Sequence, residues 1–286
     1  MFALRFMAMR TAGALALSWL LAAAATTTVV GALAGLGGCA TSQGASGDVP
    51  QELRTASDDS EARKRARTRL ALAAGYFQDG KNTIALDEMK KAVQIDPSFG
   101  EPYTLGGAIY MAMNNLPQAQ VHFEKALALN PRDTDAMHNM GLLKCRQKDH
   151  AGATAWFQRA IAEPAYPSAG KAKSWLMQGA CQAGSGERAK AEESFMHAFQ
   201  LDPGNPAVEY NLAKLLLARG EVERAQFYIR RLNNSERANA ESLWLGIKIE
   251  RRLSNAQAVD QLALQLRRRF PDSSQLIAYE RGAFDD

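Results

Sequence analysis

Small and large apolar residues recur along the chain with a period close to 34 residues. When the repeat is numbered from 1 to 34, position 8 is always small: Ala73, Gly107, Gly141, Gly179, Ala213 and Gly246. Position 20 is always alanine: Ala85, Ala119, Ala153, Ala191, Ala225 and Ala258. Position 24 is always large and apolar: Met89, Phe123, Phe157, Phe195, Ile229 and Leu262. The pattern predicts two packed helices per repeat, because small residues let helices approach closely while a large one fills the space between them.

The prolines and the repeat length define the fold that this pattern predicts. Pro97, Pro131 and Pro203 stand at position 32, where proline ends the second helix of a repeat. A 34-residue period with two helices is the length of the tetratricopeptide repeat. We therefore predict an all-α chain, a right-handed superhelix of six tetratricopeptide helix pairs with a C-terminal capping helix in residues 274–284. A longer loop over residues 163–170 accounts for the one wide repeat spacing.

The N-terminus has the pattern of an export signal. Arg5 and Arg10 precede residues 11–38, which carry no charge and are rich in alanine, glycine and threonine. This run ends in Leu-Gly-Gly-Cys at residues 36–39, which resembles the bacterial lipobox. The resemblance implies cleavage before Cys39 and a lipid on its sulfur. The alternative is an uncleaved transmembrane helix, because 28 uncharged residues are long enough to span a bilayer.

The sequence divides into three parts on this interpretation. Residues 1–38 form a lipoprotein signal peptide, 39–60 a lipidated flexible tether of small and polar residues, and 61–286 the tetratricopeptide-repeat domain. In the bacterial lipoproteins that this motif resembles, an aspartate directly after the lipidated cysteine retains the protein at the inner membrane. Ala40 therefore favours the outer membrane, with the repeat domain in the periplasm.

Composition excludes several classes of function. The net charge of +4 over 286 residues is too small for a dedicated nucleic-acid binder, and the basic run Arg63–Arg69 is interpreted as a solvated helix face or a contact for anionic lipid heads. Histidines and cysteines lack metal-ligand spacing, and no phosphate-binding glycine loop occurs. We expect no cofactor, no small-molecule substrate and no catalytic activity. An enzyme with the repeats as an accessory arm is the alternative, but repeats and tether leave no residues for a catalytic domain.

A stripe on the first helices of the repeats is the candidate partner groove. Repeat positions 2, 5, 9 and 12 are spaced by three and four residues and therefore share one helix face. In the first three repeats this face offers Leu70, Ala74, Phe77, Thr104, Ala108, Met111 and Leu142. An apolar exposed stripe suits a partner segment, unless adjacent helices or the tether cover it.

Cys145 and Cys181 remain once Cys39 carries a lipid. They lie near the ends of the first helices of repeats three and four, which run side by side in a tetratricopeptide stack. In an oxidising periplasm this pair favours a disulfide, with two buried free cysteines as the alternative.

The chain resembles the type IV pilus biogenesis lipoproteins, the pilotin family called PilF or PilW. The resemblance covers nearly all of the mature chain and is most specific in three segments: HNMGLLKCRQKDHAGATAWFQRAIAEPAYP (138–167), WLMQGACQAGSGERAKAEESFMHAFQLDPGNP (175–206) and RRRFPDSSQLIAYERGAF (267–284). It implies a non-enzymatic role with type IV pilus secretin subunits as the partner. A protein of this family escorts the subunits to the outer membrane and promotes their multimerisation there. The alternative is a general envelope lipoprotein for outer-membrane protein assembly or peptidoglycan synthase regulation.

Overall fold

The computed structural model describes residues 59–284, and every regular element in that range is an α-helix. The predicted signal peptide, Cys39 and nearly all of the tether lie outside the described residues. The thirteen helices are α1 (Glu61–Gln78), α2 (Asn82–Ile95), α3 (Glu101–Ala112), α4 (Leu116–Leu129), α5 (Thr134–Arg146), α6 (His150–Ala162), α7 (Ser168–Gly184), α8 (Arg188–Leu201), α9 (Pro206–Ala218), α10 (Val222–Asn233), α11 (Ala240–Arg252), α12 (Ala256–Arg269) and α13 (Ser274–Glu280). No helix between residues 59 and 284 combines the length and apolarity that a bilayer crossing requires.

The helices form six antiparallel pairs and a cap, which confirms the predicted fold. Each odd-numbered helix from α1 to α11 packs against the even-numbered helix that follows it. Consecutive odd-numbered helices also contact one another, whereas the even-numbered helices of the described chain have no comparable contacts among themselves. The odd-numbered helices therefore form the inner layer of the stack and the even-numbered helices the outer layer. The short helix α13 packs on α11 and α12 and covers the last repeat.

The contact between position 8 and position 24 sets the spacing of the two layers. In repeats two, three and four a glycine lies flat against a buried phenylalanine: Gly107 on Phe123, Gly141 on Phe157 and Gly179 on Phe195. A Cβ atom on these glycines would lie 2.3, 2.7 and 2.6 Å from ring carbons, closer than atoms pack. Where position 8 is alanine instead, the partner is the slimmer Met89 or Ile229. The sizes at the two positions compensate within each repeat.

The sixth repeat is one residue out of the register that the sequence pattern suggests. A residue with positive φ marks the turn inside every pair: Gly80, Asn114, Lys148, Gly186, Gly220 and Ser254. Counting back from Ser254 as in the other repeats makes Ile247, not Gly246, the counterpart of Ala213. Ile247 is fully buried in the same cluster as Ala263, which then occupies position 24. Large and small residues have exchanged places here, so a search for a small residue selected the neighbouring glycine.

Two arginines of the basic run at the start of α1 pair with acidic residues of the first repeat. Arg63 pairs with Asp96, and its guanidinium also lies 4.5 Å from the centre of the Phe99 ring. Arg69 pairs with Glu88 at 3.0 Å, and the hydrogen bonds of Glu88 with basic neighbours lower the pKa of its carboxyl. This run therefore joins the two helices of the first repeat.

Candidate functional site

The predicted groove residues lie on the inner layer, but neighbouring helices cover much of the stripe. Leu70 packs against Ala92 and Phe99, and Phe77 packs on the cluster around Met89. Met111 is only 7% exposed.

The polar and small members of the stripe have different surroundings. The Thr104 hydroxyl donates to Asp133 Oδ2 at 2.7 Å, where Asp133 caps α5. Leu142 packs between the clusters of repeats two and three. Ala74 and Ala108 are half-buried with small side chains, so they form the floor of the inner face in the first two repeats. The large apolar side chains of the stripe are all at least partly buried, so the exposed face is less apolar than the sequence pattern suggests.

Cys145 of α5 and Cys181 of α7 are joined by a disulfide, with their Cα atoms 5.9 Å apart. The bond connects two neighbouring inner helices across the longer loop between repeats three and four. His150 Nδ1 lies 3.4 Å from the sulfur of Cys181. The ligand atoms of these three residues lie within 4.8 Å of one another, as in a metal site. Both sulfurs are committed to the disulfide, so no thiolate remains to bind a metal ion.

His138 belongs to a buried polar chain at the interface of repeats three and four. Its Nδ1 lies 2.8 Å from the Ser174 hydroxyl, which lies 3.2 Å from the Tyr166 hydroxyl. The side chain of His138 is 2% exposed, and its Nε2 has no partner in the described chain. Burial removes water from the charged form and, with the positive charge of Lys173, lowers the pKa of His138 to about 4. The histidine is therefore neutral in the folded protein at physiological pH.

The depressed pKa of His138 predicts that the protein loses stability in mild acid. An unfolded histidine takes up its proton near pH 6.5, so between pH 6.5 and about 4 the unfolded state binds more protons. Stability is therefore full above pH 6.5 and falls as the pH drops towards 4. We expect this histidine to contribute about 2 kcal/mol of the loss between pH 7 and pH 4.5. Urea unfolding of the wild type and of His138→Gln at both values measures it. Equal losses in the two proteins would contradict the prediction.

A second feature of the inner layer lies at its C-terminal end. A cavity of about 660 Å³ opens between α9 and α11 and is bordered by the segment after α13. Aromatic and basic side chains from the three segments line it: Tyr210, Lys214, Trp244, Lys248, Arg251 and Phe284. Its volume lies within the range of about 300–1,000 Å³ that is usual for ligand pockets.

The stripe predicted from the sequence covers only the first three repeats, and the register that Gly246 suggests would not have revealed this cavity in the sixth. With Gly246 at position 8, the stripe of α11 would consist of Ala240, Leu243, Ile247 and Glu250, and the last three are buried. With the register that Ser254 sets, the stripe positions are Glu241, Trp244, Lys248 and Arg251, and all four line the cavity. The spacing of the turn residues, which places Ser254 rather than a neighbour at the turn, indicates the correct register of α11.

Models of the tetratricopeptide repeat match residues 134–162 and 182–244. The chain is 28% identical over 239 residues to the type IV pilus assembly protein PilF of Pseudomonas aeruginosa. That alignment covers 84% of this chain and 91% of the relative.

Two solved structures share the arrangement of helices. The structure of Pseudomonas aeruginosa PilF matches with a TM-score of 0.66 and 25% identity, over 78% of this chain and 100% of that one. The structure of PilW, described as a widely conserved type IV pilus biogenesis factor, matches with a TM-score of 0.67 and 27% identity. The match covers 76% of this chain and 98% of the PilW chain. The likeness therefore extends over the whole repeat stack.

Proposed function

We propose, from the premise that this chain is a type IV pilus tetratricopeptide-repeat protein similar to PilF and PilW, that it acts as the pilotin of a type IV pilus secretin. It would bind secretin subunits, escort them to the outer membrane and promote their multimerisation. The observation that carries this proposal is the likeness to PilF, because it covers 84% of this chain and 91% of the relative. A match to the repeats alone would fit any scaffold protein.

The N-terminal sequence supplies the membrane part of the proposal. A lipid on Cys39 would anchor the protein to the outer membrane and confine the repeat domain to its periplasmic surface. Residues 40–60 would form a tether with a root-mean-square span of about 25 Å, by random-coil scaling. The repeat domain can then meet an incoming subunit before that subunit inserts.

The inner layer supplies the binding part of the proposal. Six stacked helix pairs offer an extended surface, on which a segment of a partner can lie across several repeats. Ala74 and Ala108 lie on the floor of this surface and leave room for such a segment. The proposal therefore assigns a binding role to the protein, with no chemical step.

The test is made in the source bacterium with the gene deleted and then restored. Loss of the chain, or Cys39→Ala, is expected to abolish secretin multimers in the outer-membrane fraction together with surface pili. We expect Ala108→Glu to reduce multimers about tenfold, because a charged side chain would fill the floor of the second repeat. Ala108 is a better probe than Phe77, because Phe77 packs on the core of its own repeat and a charge there would destabilise that repeat. Immunoblots of unboiled membranes measure the multimers.

Val121→Glu is the matched control in the same repeat. Val121 lies on the outer helix α4 with 56% of its side chain exposed, so this variant carries the same new charge away from the inner layer. Its multimers and pili are expected to equal those of the wild type. Normal multimers in the deletion strain would exclude the pilotin role and favour a general role in envelope assembly.

A further inference from the structure

The cavity at the C-terminal end of the inner layer is strongly basic. Four cationic side chains line it, and Glu241 is the one carboxylate among its described lining residues: Lys214, Lys248, Arg251 and Arg252 carry the positive charge. An excess of positive charge in a recess of low dielectric attracts acidic groups.

Two arginines elsewhere in these repeats pair with buried carboxylates. Arg230 forms an ion pair with the buried Glu250, and Arg231 forms one with Glu209. Within residues 59–284, by contrast, no carboxylate lies at ion-pairing distance from Lys214, Arg251 or Arg252. Their charges are therefore available to a ligand.

Aromatic rings hold two of the cations in place. The guanidinium of Arg251 lies 3.3 Å from the centre of the Phe284 ring, and Lys248 Nζ lies 5.2 Å from that of Trp244. The two rings lie 5.2 Å apart and form one apolar wall. Tyr210 of α9 faces the same space. Aromatic and arginine side chains that share a pocket are typical of sites that dominate binding energy in protein interfaces.

The shape of the cavity selects the kind of partner. The cavity lies between two inner helices, so a flat bilayer surface cannot reach its wall. An extended peptide can enter and place one side chain against the rings. Carboxylates two residues before and two residues after that side chain would then meet Lys214 and Arg251, because residues two apart in an extended chain point in the same direction.

From this geometry we propose that the cavity binds an acidic peptide segment of a partner protein, with an aromatic or aliphatic side chain seated between Tyr210 and Trp244. The site is separate from the stripe of the first three repeats. It gives the inner layer a second contact with different chemistry, and it does not depend on the role in pilus assembly.

The test uses a short fluorescein-labelled peptide in which serine separates a central phenylalanine from one glutamate on each side, titrated with the detergent-solubilised full chain. Fluorescence anisotropy is expected to show binding at least about tenfold tighter than for the two peptides in which lysine replaces both glutamates or serine replaces the phenylalanine. The affinity should fall as salt is added, because charge pairs contribute to it. Absence of binding by the first peptide, or equal binding of all three, would overturn the proposal.

Lys214→Glu is the main variant, because Lys214 is exposed and its replacement disturbs no packing. We expect it to weaken peptide binding about tenfold or more, while Lys125→Glu on the exposed outer face of α4 changes it less than about twofold. Trp244→Ala should weaken binding as well. If the Trp244→Ala protein fails to fold, the result for Lys214→Glu decides the outcome. Equal effects of the two lysine variants would contradict the site. If phosphatidylglycerol vesicles bind more tightly than the peptide, and Lys214→Glu weakens that binding, the ligand is a lipid surface and the peptide proposal is overturned.

Discussion

Exchanging the sizes of Gly107 and Phe123 is expected to restore much of the stability that either substitution removes alone. Phe123→Ala deletes a fully buried ring, a change that costs about 3–5 kcal/mol in protein cores. Gly107→Ile places a Cβ where the ring carbon Cε1 would be only 2.3 Å away, and overpacking of this kind costs about 1–3 kcal/mol or more. In the double variant, the isoleucine occupies the space that the phenylalanine leaves.

The sixth repeat is a natural precedent for this exchange, because it has isoleucine at position 8 and alanine at position 24. Urea unfolding of the four proteins in the cycle measures the coupling energy, which we expect to be favourable by about 2 kcal/mol. Gly107→Ile combined with Phe195→Ala is the control. Phe195 belongs to a different core cluster, so these two effects should add. A double variant no more stable than the sum of its single variants would contradict the contact between positions 8 and 24.

The sequence predicts the helix pairs well because their packing depends on local size. Gly141 and Phe157 are in one repeat, and their spacing recurs often enough to be recognised without a structure. Six helix pairs follow from that recurrence, and the cap follows from the need to cover the last repeat. The register of the last repeat does not follow, since Ile247 and Ala263 preserve the total volume while they reverse the order of the sizes. The core requires a total side-chain volume at the two positions, and a search for one residue type at one position cannot detect that total.

Contacts between repeats were much harder to predict. The burial of Met111 and the hydrogen bond between His138 and Ser174 both depend on how closely one inner helix approaches the next. The sequence period does not determine the distance between neighbouring inner helices. The 38-residue interval between repeats three and four also breaks the period at this interface. The basic cavity was missed for a related reason, since it requires the correct register of α11 as well as the position of Phe284 after the cap.

The disulfide lies at the same irregular interface, and its removal is expected to cost about 4 kcal/mol. Cys145 and Cys181 are 36 residues apart, and a cross-link that closes a loop of this length restricts the unfolded chain by about that free energy in the chain-entropy account. In a repeat stack each repeat is held only by its neighbours, so a bond between α5 and α7 stabilises the contact that joins the two halves.

Urea unfolding of Cys145→Ser/Cys181→Ser, compared with the wild type, measures this contribution. Reduction of the wild type with dithiothreitol should produce the same loss, whereas the double variant should not respond to the reductant. Thiol labelling of wild-type protein that is unfolded without a reductant and carries its lipid on Cys39 should find no free cysteine. Two labelled thiols, or equal stability of the double variant and the wild type, would show that the disulfide does not contribute to the stability of the interface between repeats three and four. In that case the buried chain from His138 to Tyr166 would be its main polar support, and the acid-induced loss of stability would then remain unchanged in the double variant.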